Sequence, residues 1–414
     1  MSGVQVNEGI FAGVESLAGD QMQQAIRQVF AFTRRRVLLG PGAVALLGPE
    51  CRGLGVSRAL LVHDPGVPRL ADRVEQALEA GGVRVVGRFD RVVSNPTVES
   101  VAACAAAVAK ADCEGVVAVG GGSTLDAAKA AACTATVGQP IDAFYGFDLI
   151  PQPARWPLVA VPTTAGTGSE ASRICVVADA TGKKAVYSDY LIPSLAVVDP
   201  ELHANMPPPL TAVTGLDALA HALECTASKK STPLADAVAR EALRHGCPAL
   251  APAIVRGSAD PGARQAMARC SLLAGLLLGP VNTGAAHALG YGIEKVSGAR
   301  GLPVPHGAAV ALALPGVVAH NLPGAADKYY YAAGAAGLDL AGASREDGVR
   351  ALARWIDRVR RAHTPWGTLE QAGLGEADIA PMVDVAMQVR RLLDPNPVEV
   401  TAQDAEGIYR QVLR

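Results

Sequence analysis

Residues 116–129 read VVAVGGGSTLDAAK: a short apolar run rich in valine, three glycines, a serine, and then helix-forming composition from about Thr124. A strand that ends in glycines and passes directly into a helix lets the backbone come close to a ligand. The first turn of that helix also leaves N–H groups unpaired and carries positive partial charge. The stretch therefore reads as a cradle for an anion such as a pyrophosphate, with Gly121, Gly122 and Ser123 at its centre. It is not the GxGxxG fingerprint, and a strand followed by a plain tight turn would begin in the same way.

Outward from this segment, three further β-branched or apolar runs stand at Ala59–Val62 (ALLV), Val83–Val86 (VRVV) and Leu158–Val161 (LVAV), each followed closely by Gly, Asp or Pro. Between the second strand and the cradle, the period of Val98–Lys110 predicts a helix that turns Val98, Val101, Ala105, Val108 and Ala109 inward. Strands alternating with helices predict a parallel sheet covered by helices over residues 37–203. After Asp199-Pro200 the strand signal fades, and Pro207-Pro208-Pro209 interrupts any continuing element. Beyond it the chain reads as successive helices at 211–228, 233–246, 261–278, 284–293, 307–320, 325–336 and 346–361, with two or three more. The expected class is thus α/β followed by all-α: an extension (1–36), a dinucleotide-binding sheet domain (37–203) and a helical domain (204–414). A chain of 414 residues is long enough for two cores.

Two loops join the cradle. Asp64, in LVHDPG (61–66), follows a strand end, where an acidic side chain accepts hydrogen bonds from an adenosine ribose and favours NAD over NADP; an Asp capping the turn at Pro65-Gly66 is the other reading. The segment PTTAGTGSE (162–170) offers hydroxyls and backbone donors without bulk, or simply caps the next element. In the helical part, GLDALAHALEC (215–225) places Asp217 and His221 four apart on one helix face, so that both reach a single ion or, alternatively, pair with each other in a core. His287 and His306 lie in Ala/Gly-rich surroundings where a polar ring needs a reason to be present. One Asp and three His form an N/O site for a divalent metal, without choosing among iron, zinc, cobalt and nickel. Such an ion acts as a Lewis acid toward a carbonyl.

Composition limits the alternatives. Half the residues are hydrophobic and 18% are charged, as in a large globular enzyme. The net charge of -2, with interspersed signs, lacks the basic field that nucleic-acid binding requires. The apolar runs fall short of the roughly 20 residues needed to span a bilayer, and residues 1–36 lack the order of a secretory signal. The eight cysteines are scattered without a CxxC pair. A cytoplasmic protein with reduced thiols is expected.

Taken together, GPGA (40), SNPT (94), GGGSTLDAAK (120), PTTAGTGSE (162), VVDPEL (197), GLDALAHALE (215), HALGY (287), PHG (305) and NPVEVTAQDAEGIY (396) resemble, in order, the iron-dependent (group III) alcohol dehydrogenase family. The resemblance implies a dehydroquinate synthase-like fold with an interdomain cleft and an NAD(P)-linked, metal-dependent oxidoreductase acting on a small alcohol or aldehyde, usually as a homodimer. It implies Asp217, His221, His287 and His306 as ligands of a divalent metal, Fe2+ favoured and Zn2+ as alternative. Around the cofactor it implies Gly121, Gly122, Ser123 and Asp126, with Asp64, Asn95, Thr163, Thr164, Ser169 and Lys184 as further contacts. Tyr291 stands where the family often has a second histidine and is expected to donate a hydrogen bond near the reacting centre. The spacing from His287 to His306 is longer than in the family, with EKVSGARG holding the extra residues. The same fold would also suit a cyclase or lyase resembling dehydroquinate synthase, a hydride transhydrogenase, or a nucleotide-binding protein without activity.

Overall fold

The computed structural model describes residues 30–31, 36–180 and 182–414. Ten strands occur among them: β1 (Phe30–Ala31), β2 (Arg36–Leu39), β3 (Arg58–His63), β4 (Arg84–Phe89), β5 (Gly115–Gly120), β6 (Gly146–Phe147), β7 (Leu158–Pro162), β8 (Ile174–Asp179), β9 (Gly182–Tyr187) and β10 (Leu195–Val198). Seven of them form one sheet in the order β1-β2-β10-β7-β5-β3-β4, parallel except for β1. The remainder form a small sheet, β6-β9-β8.

The large sheet is covered on both faces, as a parallel sheet must be. Along β5, Val117 and Val119 pack with Ala71, Val74 and Leu78 of α2 (Pro68–Ala80), which follows the short α1 (Leu47–Gly53). Val116 and Ala118 face the opposite way, onto Cys104, Ala105 and Val108 of α3 (Val98–Lys110) and Leu125, Ala128 and Ala131 of α4 (Gly122–Val137). The expected boundaries of α3 are observed, fixed at its start by a capping box between Thr97 and Ser100. Its face is rotated slightly from the expectation: Cys104 is buried, Val98 is half-buried and Ala109 is exposed. β3 lies between β4 and β5, so the winding of the chain reverses between β3 and β5. The carboxyl ends at that reversal, where open α/β sheets bind ligands, carry His63-Asp64 and Gly120.

The helical half comprises α5 (Pro208–Ala227), α6 (Pro233–Arg256), α7 (Pro261–Leu278), α8 (Ala285–Ala299), α9 (His306–His320), α10 (Leu322–Ala335), α11 (Arg345–His363), α12 (Glu376–Met387), α13 (Arg390–Leu393) and α14 (Ala402–Gln411). α5 is the central rod, packed by α6, α7, α9 and α11 and buried almost all round from Thr211 to Ala227. Asp217, His221 and Glu224 therefore sit in a helix otherwise apolar enough to be core, where each polar group requires a partner.

The expectations differ from the structure in four places. Arg36 and Phe30–Ala31 belong to the sheet, so the sheet begins before residue 37; the rest of the expected extension (1–36) lies outside the described residues. The sequence reading stopped a helix at 246, yet α6 continues to Arg256 through Pro248 and Pro252, because Leu250, Ala253 and Ile254 are buried against the core. The β8–β9 hairpin was not anticipated. The extra residues after His287 extend α8 to Ala299 and leave His306 at the start of α9. Among the described residues no single helix is long and apolar enough to cross a membrane.

Candidate active site in the cleft between sheet and helices

A half-open cleft runs between the carboxyl ends of the sheet and the helical half. Asn95, Gly122, Ser123, Asp126 and Ser169 line it from the sheet side, and Asp217, His221, His287, Tyr291 and His306 from the other. The remaining expected contacts lie near but outside this lining. Thr163 is buried and donates its N–H to the Gly120 carbonyl (2.9 Å). Asp64 Oδ1 accepts the Gly66 N–H (2.7 Å), so the turn-capping reading holds for that oxygen. Lys184 turns away, paired with Asp179 at 2.8 Å and lying over Tyr145. Strand alternation sends its neighbour Lys183 into the cleft instead.

The cradle has the expected local form. Gly121 caps α4 without a side-chain acceptor, leaving the first N–H groups of the helix free for an anion. At Gly122 a methyl group would stand 2.6 Å from Thr167 Cγ2 and 2.8 Å from Thr167 Oγ1, so only glycine fits against that loop. Asn95 adopts a left-handed backbone conformation (φ 55°) and donates its N–H to Ser123 Oγ (3.1 Å). One turn further, Asp126 accepts from Ser169 Oγ (2.6 Å) and from the Val176 N–H (2.9 Å). Burial pushes its carboxyl up, opposed chiefly by Lys129. Lys129 is itself buried and donates to Ser169 Oγ (2.8 Å) and to the carbonyls of Ser172 and Ile174. These bonds tie α4, the 162–170 loop and β8 into one rigid wall.

On the opposite wall three imidazoles converge on one oxygen. The Nε2 atoms of His221, His287 and His306 stand 3.8, 3.5 and 4.0 Å from Asp217 Oδ1. The ligand atoms of Asp217, His221 and His287 all lie within 4.8 Å of one another, and His306 closes the group from the more exposed side. Asp217 Oδ1 and His287 Nε2 are buried without a hydrogen-bond partner, an arrangement that costs about 1–3 kcal/mol per group unless something else satisfies them. An ion bonded at about 2.1 Å to four ligands holds them about 3.4 Å apart, close to these spacings. The residues present thus fit a divalent metal.

The electrostatics of the four side chains follow from their packing. Burial opposes the charge on Asp217, but the surrounding histidines, His221 first, hold its carboxyl well below the usual range. Burial pushes the His221 imidazole down to about 4. At His287 burial also opposes charge, but Glu224 and Asp217 outweigh it and raise the ring to about 10. Gly307, directly after His306, allows this close approach: a methyl group there would meet the Val213 carbonyl at 2.3 Å and Asp217 Cβ at 3.2 Å.

Both halves of this architecture match one family over nearly the whole chain. The profile of iron-containing alcohol dehydrogenases matches residues 34–200, and that of the Fe-containing alcohol dehydrogenase C-terminal region matches 211–413. The chain belongs to the iron-containing alcohol dehydrogenase family. A choline dehydrogenase of Bacillus subtilis (strain 168) is 37% identical over 379 residues, covering 90% of this chain and 92% of that protein. The crystal structure of a 1,3-propanediol oxidoreductase superposes with a TM-score of 0.85 at 32% identity, covering 91% and 97% of the two chains. A sulfoacetaldehyde reductase from Bifidobacterium kashiwanohense, in complex with NAD+, gives a TM-score of 0.79 at 29% identity over 91% and 96%.

In this member of the family two carboxylates that the sequence reading passed over orient the histidines. Glu224 Oε2 accepts a hydrogen bond from His287 Nδ1 while its Oε1 accepts from the Ala286 N–H (2.6 Å). Glu294 Oε1 pairs with His306 Nδ1 (2.6 Å), and Glu294 is also ion-paired with Lys183. Each carboxylate holds its imidazole by Nδ1 and so turns Nε2, the nitrogen left for an ion, toward Asp217. A signal existed: Glu224 lies seven residues after Asp217 and Glu294 seven after His287, two turns along the same helix faces. Tyr187, Asn282, Thr283 and Arg391, also in the lining, were not singled out from sequence.

Proposed function

We propose that the cleft transfers a hydride between NAD(H), or NADP(H) as the less favoured partner, and a small aldehyde or ketone, with the alcohol as the other side of the equilibrium. The observation that carries this reading is the pairing, in one cleft, of a free helix N-terminus behind a glycine run with three imidazoles facing a partnerless buried carboxylate oxygen. When bound, a divalent ion, iron(II) before zinc, supplies a Lewis acid to the carbonyl, and the nicotinamide supplies or accepts the hydride.

Asp217, His221, His287 and His306 are the proposed ligands; one anionic and three neutral donors leave an ion net positive. The N–H groups at Gly121, Gly122 and Ser123 receive the phosphates, and Asn95, Asp126 and Ser169 line the ribose and nicotinamide end. Thr163 and Thr164 brace the glycine run: Thr164 stands 3.4 Å from where a Gly121 methyl group would lie. Asp64 presents Oδ2 to the adenosine ribose, and Lys183 takes the position first assigned to Lys184. Tyr291, whose ring lies 5.7 Å from that of His306, offers its hydroxyl to the substrate oxygen. The NAD+ bound by the related sulfoacetaldehyde reductase supports the same dinucleotide here.

We further propose residues 37–203 as the cofactor domain and 204–414 as the metal and substrate domain, a cytoplasmic location and a homodimer. All eight cysteines are free, as in a reducing compartment. The outer edge of β1 has no strand partner among the described residues and is open to pairing with a second copy. Light scattering gives the mass.

The deciding experiment is anaerobic oxidation of NADH and NADPH, followed by absorbance, by protein loaded with ferrous iron or zinc against a panel of aldehydes and ketones. Metal-dependent turnover that is lost in Asp217→Ala is expected. A loaded protein that binds NAD but oxidises no reduced cofactor across the panel would overturn the reading in favour of a cyclase-like or transhydrogenase reaction.

A further inference from the structure

Arg391, near the start of α13, lines the cleft, and among the described residues no carboxylate is ion-paired with it. Its Nη1 donates to the Tyr187 hydroxyl (2.7 Å), its guanidinium carbon lies 5.9 Å from the Tyr187 ring and 5.7 Å from the Tyr291 ring, and the acceptors around it are these phenols rather than carboxylates. The other charges in the lining are accounted for. Lys183 is paired with Glu294. Asp126 has both oxygens hydrogen-bonded, and Asp217 faces the histidines. A guanidinium in a partly desolvated cleft, with no carboxylate paired to it among the described residues, is costly unless a ligand brings a counter-ion.

The neighbouring hydroxyl points to the same conclusion. The Tyr187 oxygen accepts from Arg391 Nη1 and from Asn282 Nδ2 (2.9 Å), so its own O–H is left to donate. Asn282 is held for this contact in a left-handed backbone conformation (φ 76°) and Tyr187 is 3% exposed, so the pair is prepositioned. A guanidinium fork beside a phenol donor suits a planar oxyanion. Only the Tyr291 ring separates this pair from the histidine cluster, at 5.7 Å from the His306 ring on one side and 5.7 Å from the Arg391 carbon on the other.

We propose that Arg391 and Tyr187 form the end of the substrate site and select a short aldehyde or alcohol that carries a carboxylate at its far terminus, of the length of 4-oxobutanoate and 4-hydroxybutanoate. The inference rests on the dehydrogenase reading for what happens at the other end of the substrate, but the anion site itself is a binding claim. Both oxygens of the carboxylate are held at Arg391, no bond is made or broken there, and a cationic terminus is repelled.

Calorimetry on the metal- and NAD+-loaded enzyme tests the binding claim, with 4-hydroxybutanoate and butan-1-ol as probes. The wild type is expected to bind the carboxylate at least tenfold more tightly than the alcohol. Arg391→Gln should erase most of that ratio, and Arg391→Lys should retain part of it. In turnover, the kcat/KM ratio of 4-oxobutanoate to butanal should fall by a similar factor in Arg391→Gln, mainly through KM, while trimethylammonioacetaldehyde gains relative to both. Equal affinity of the wild type for the two probes, or a variant that shifts both by the same factor, would remove the proposal and leave Arg391 a structural residue. Carboxylate-selective binding without NADH oxidation of any aldehyde would instead uphold the anion site and remove the dehydrogenase reading.

Discussion

On the sheet wall of the cleft the groups offered to a ligand are largely backbone: N–H groups at the start of α4, exposed because Gly121 and Gly122 carry no side chain. On the helical wall they are side chains, Asp217, His221, His287 and His306, brought together from three helices, two of the histidines being held by a carboxylate of their own. The contrast shows how each wall can fail. A backbone cradle tolerates most nearby changes of chemistry but no added volume, whereas a side-chain cluster depends on the identity and proton position of each member.

The sharpest break is at the shared ligand. Asp217→Ala removes the oxygen on which the imidazoles converge, and we expect bound metal to fall below a tenth of an equivalent and kcat/KM to fall by about 10³ or more, as suits the loss of several kcal/mol of charge stabilisation. Metal analysis and steady-state rates check this, and an unchanged thermal unfolding transition of the metal-free protein serves as the control that the fold survives. Glu224→Gln keeps the size but not the charge behind His287 Nδ1. It should weaken metal binding by about 10–100-fold, read by competition with a chelator.

On the sheet wall, Gly122→Ala adds one methyl group against Thr167 and, at an overpacking cost of about 1–3 kcal/mol, should raise the NAD dissociation constant roughly tenfold or more with metal content unchanged. If metal content fell as well, the two walls would not be separable as described. The smallest effect concerns the support beneath the cradle. His203 is buried, Nε2 bonds to the Pro162 carbonyl (3.0 Å), and burial lowers its ring from 6.5 to about 4. Because the folded state holds the proton less well than the unfolded one, the stabilisation is complete above pH 6.5 and is lost as pH falls toward 4. Between pH 7 and pH 5 the wild type should therefore lose about 2 kcal/mol more stability than His203→Gln in urea unfolding.

The same contrast explains what the sequence disclosed. Residue types announce a side-chain site: an Asp and a His four apart, and two further histidines among alanines and glycines, pointed to the cluster before any coordinate did. The parallel sheet around β5 was legible because strands buried on both faces are written as continuous valine runs, though their order was not. Residues chosen by strand alternation were less legible. Lys183 and Lys184 are adjacent and chemically equal, and only the pairing of β8 with β9 decides which one enters the cleft. Arg391 was invisible for a related reason: an arginine in a polar helical stretch reads as surface until Tyr187, some two hundred residues earlier, is found against it. The last ten residues of α6 were illegible locally, because Pro248 and Pro252 cost backbone hydrogen bonds and only the burial of Leu250, Ala253 and Ile254 against the core offsets them.

The ion pair between Lys183 and Glu294 crosses from β9 to α8, and Glu294 in turn grips His306. The two walls are thereby yoked through a single carboxylate. If a dinucleotide settling against the hairpin moves Lys183, it alters how firmly His306 is held. Linkage then requires that an ion at His306 change the dinucleotide's affinity by the same factor. Order of addition would then cease to be a matter of indifference to the enzyme, and chelation would weaken its grip on the nucleotide as well as stop turnover.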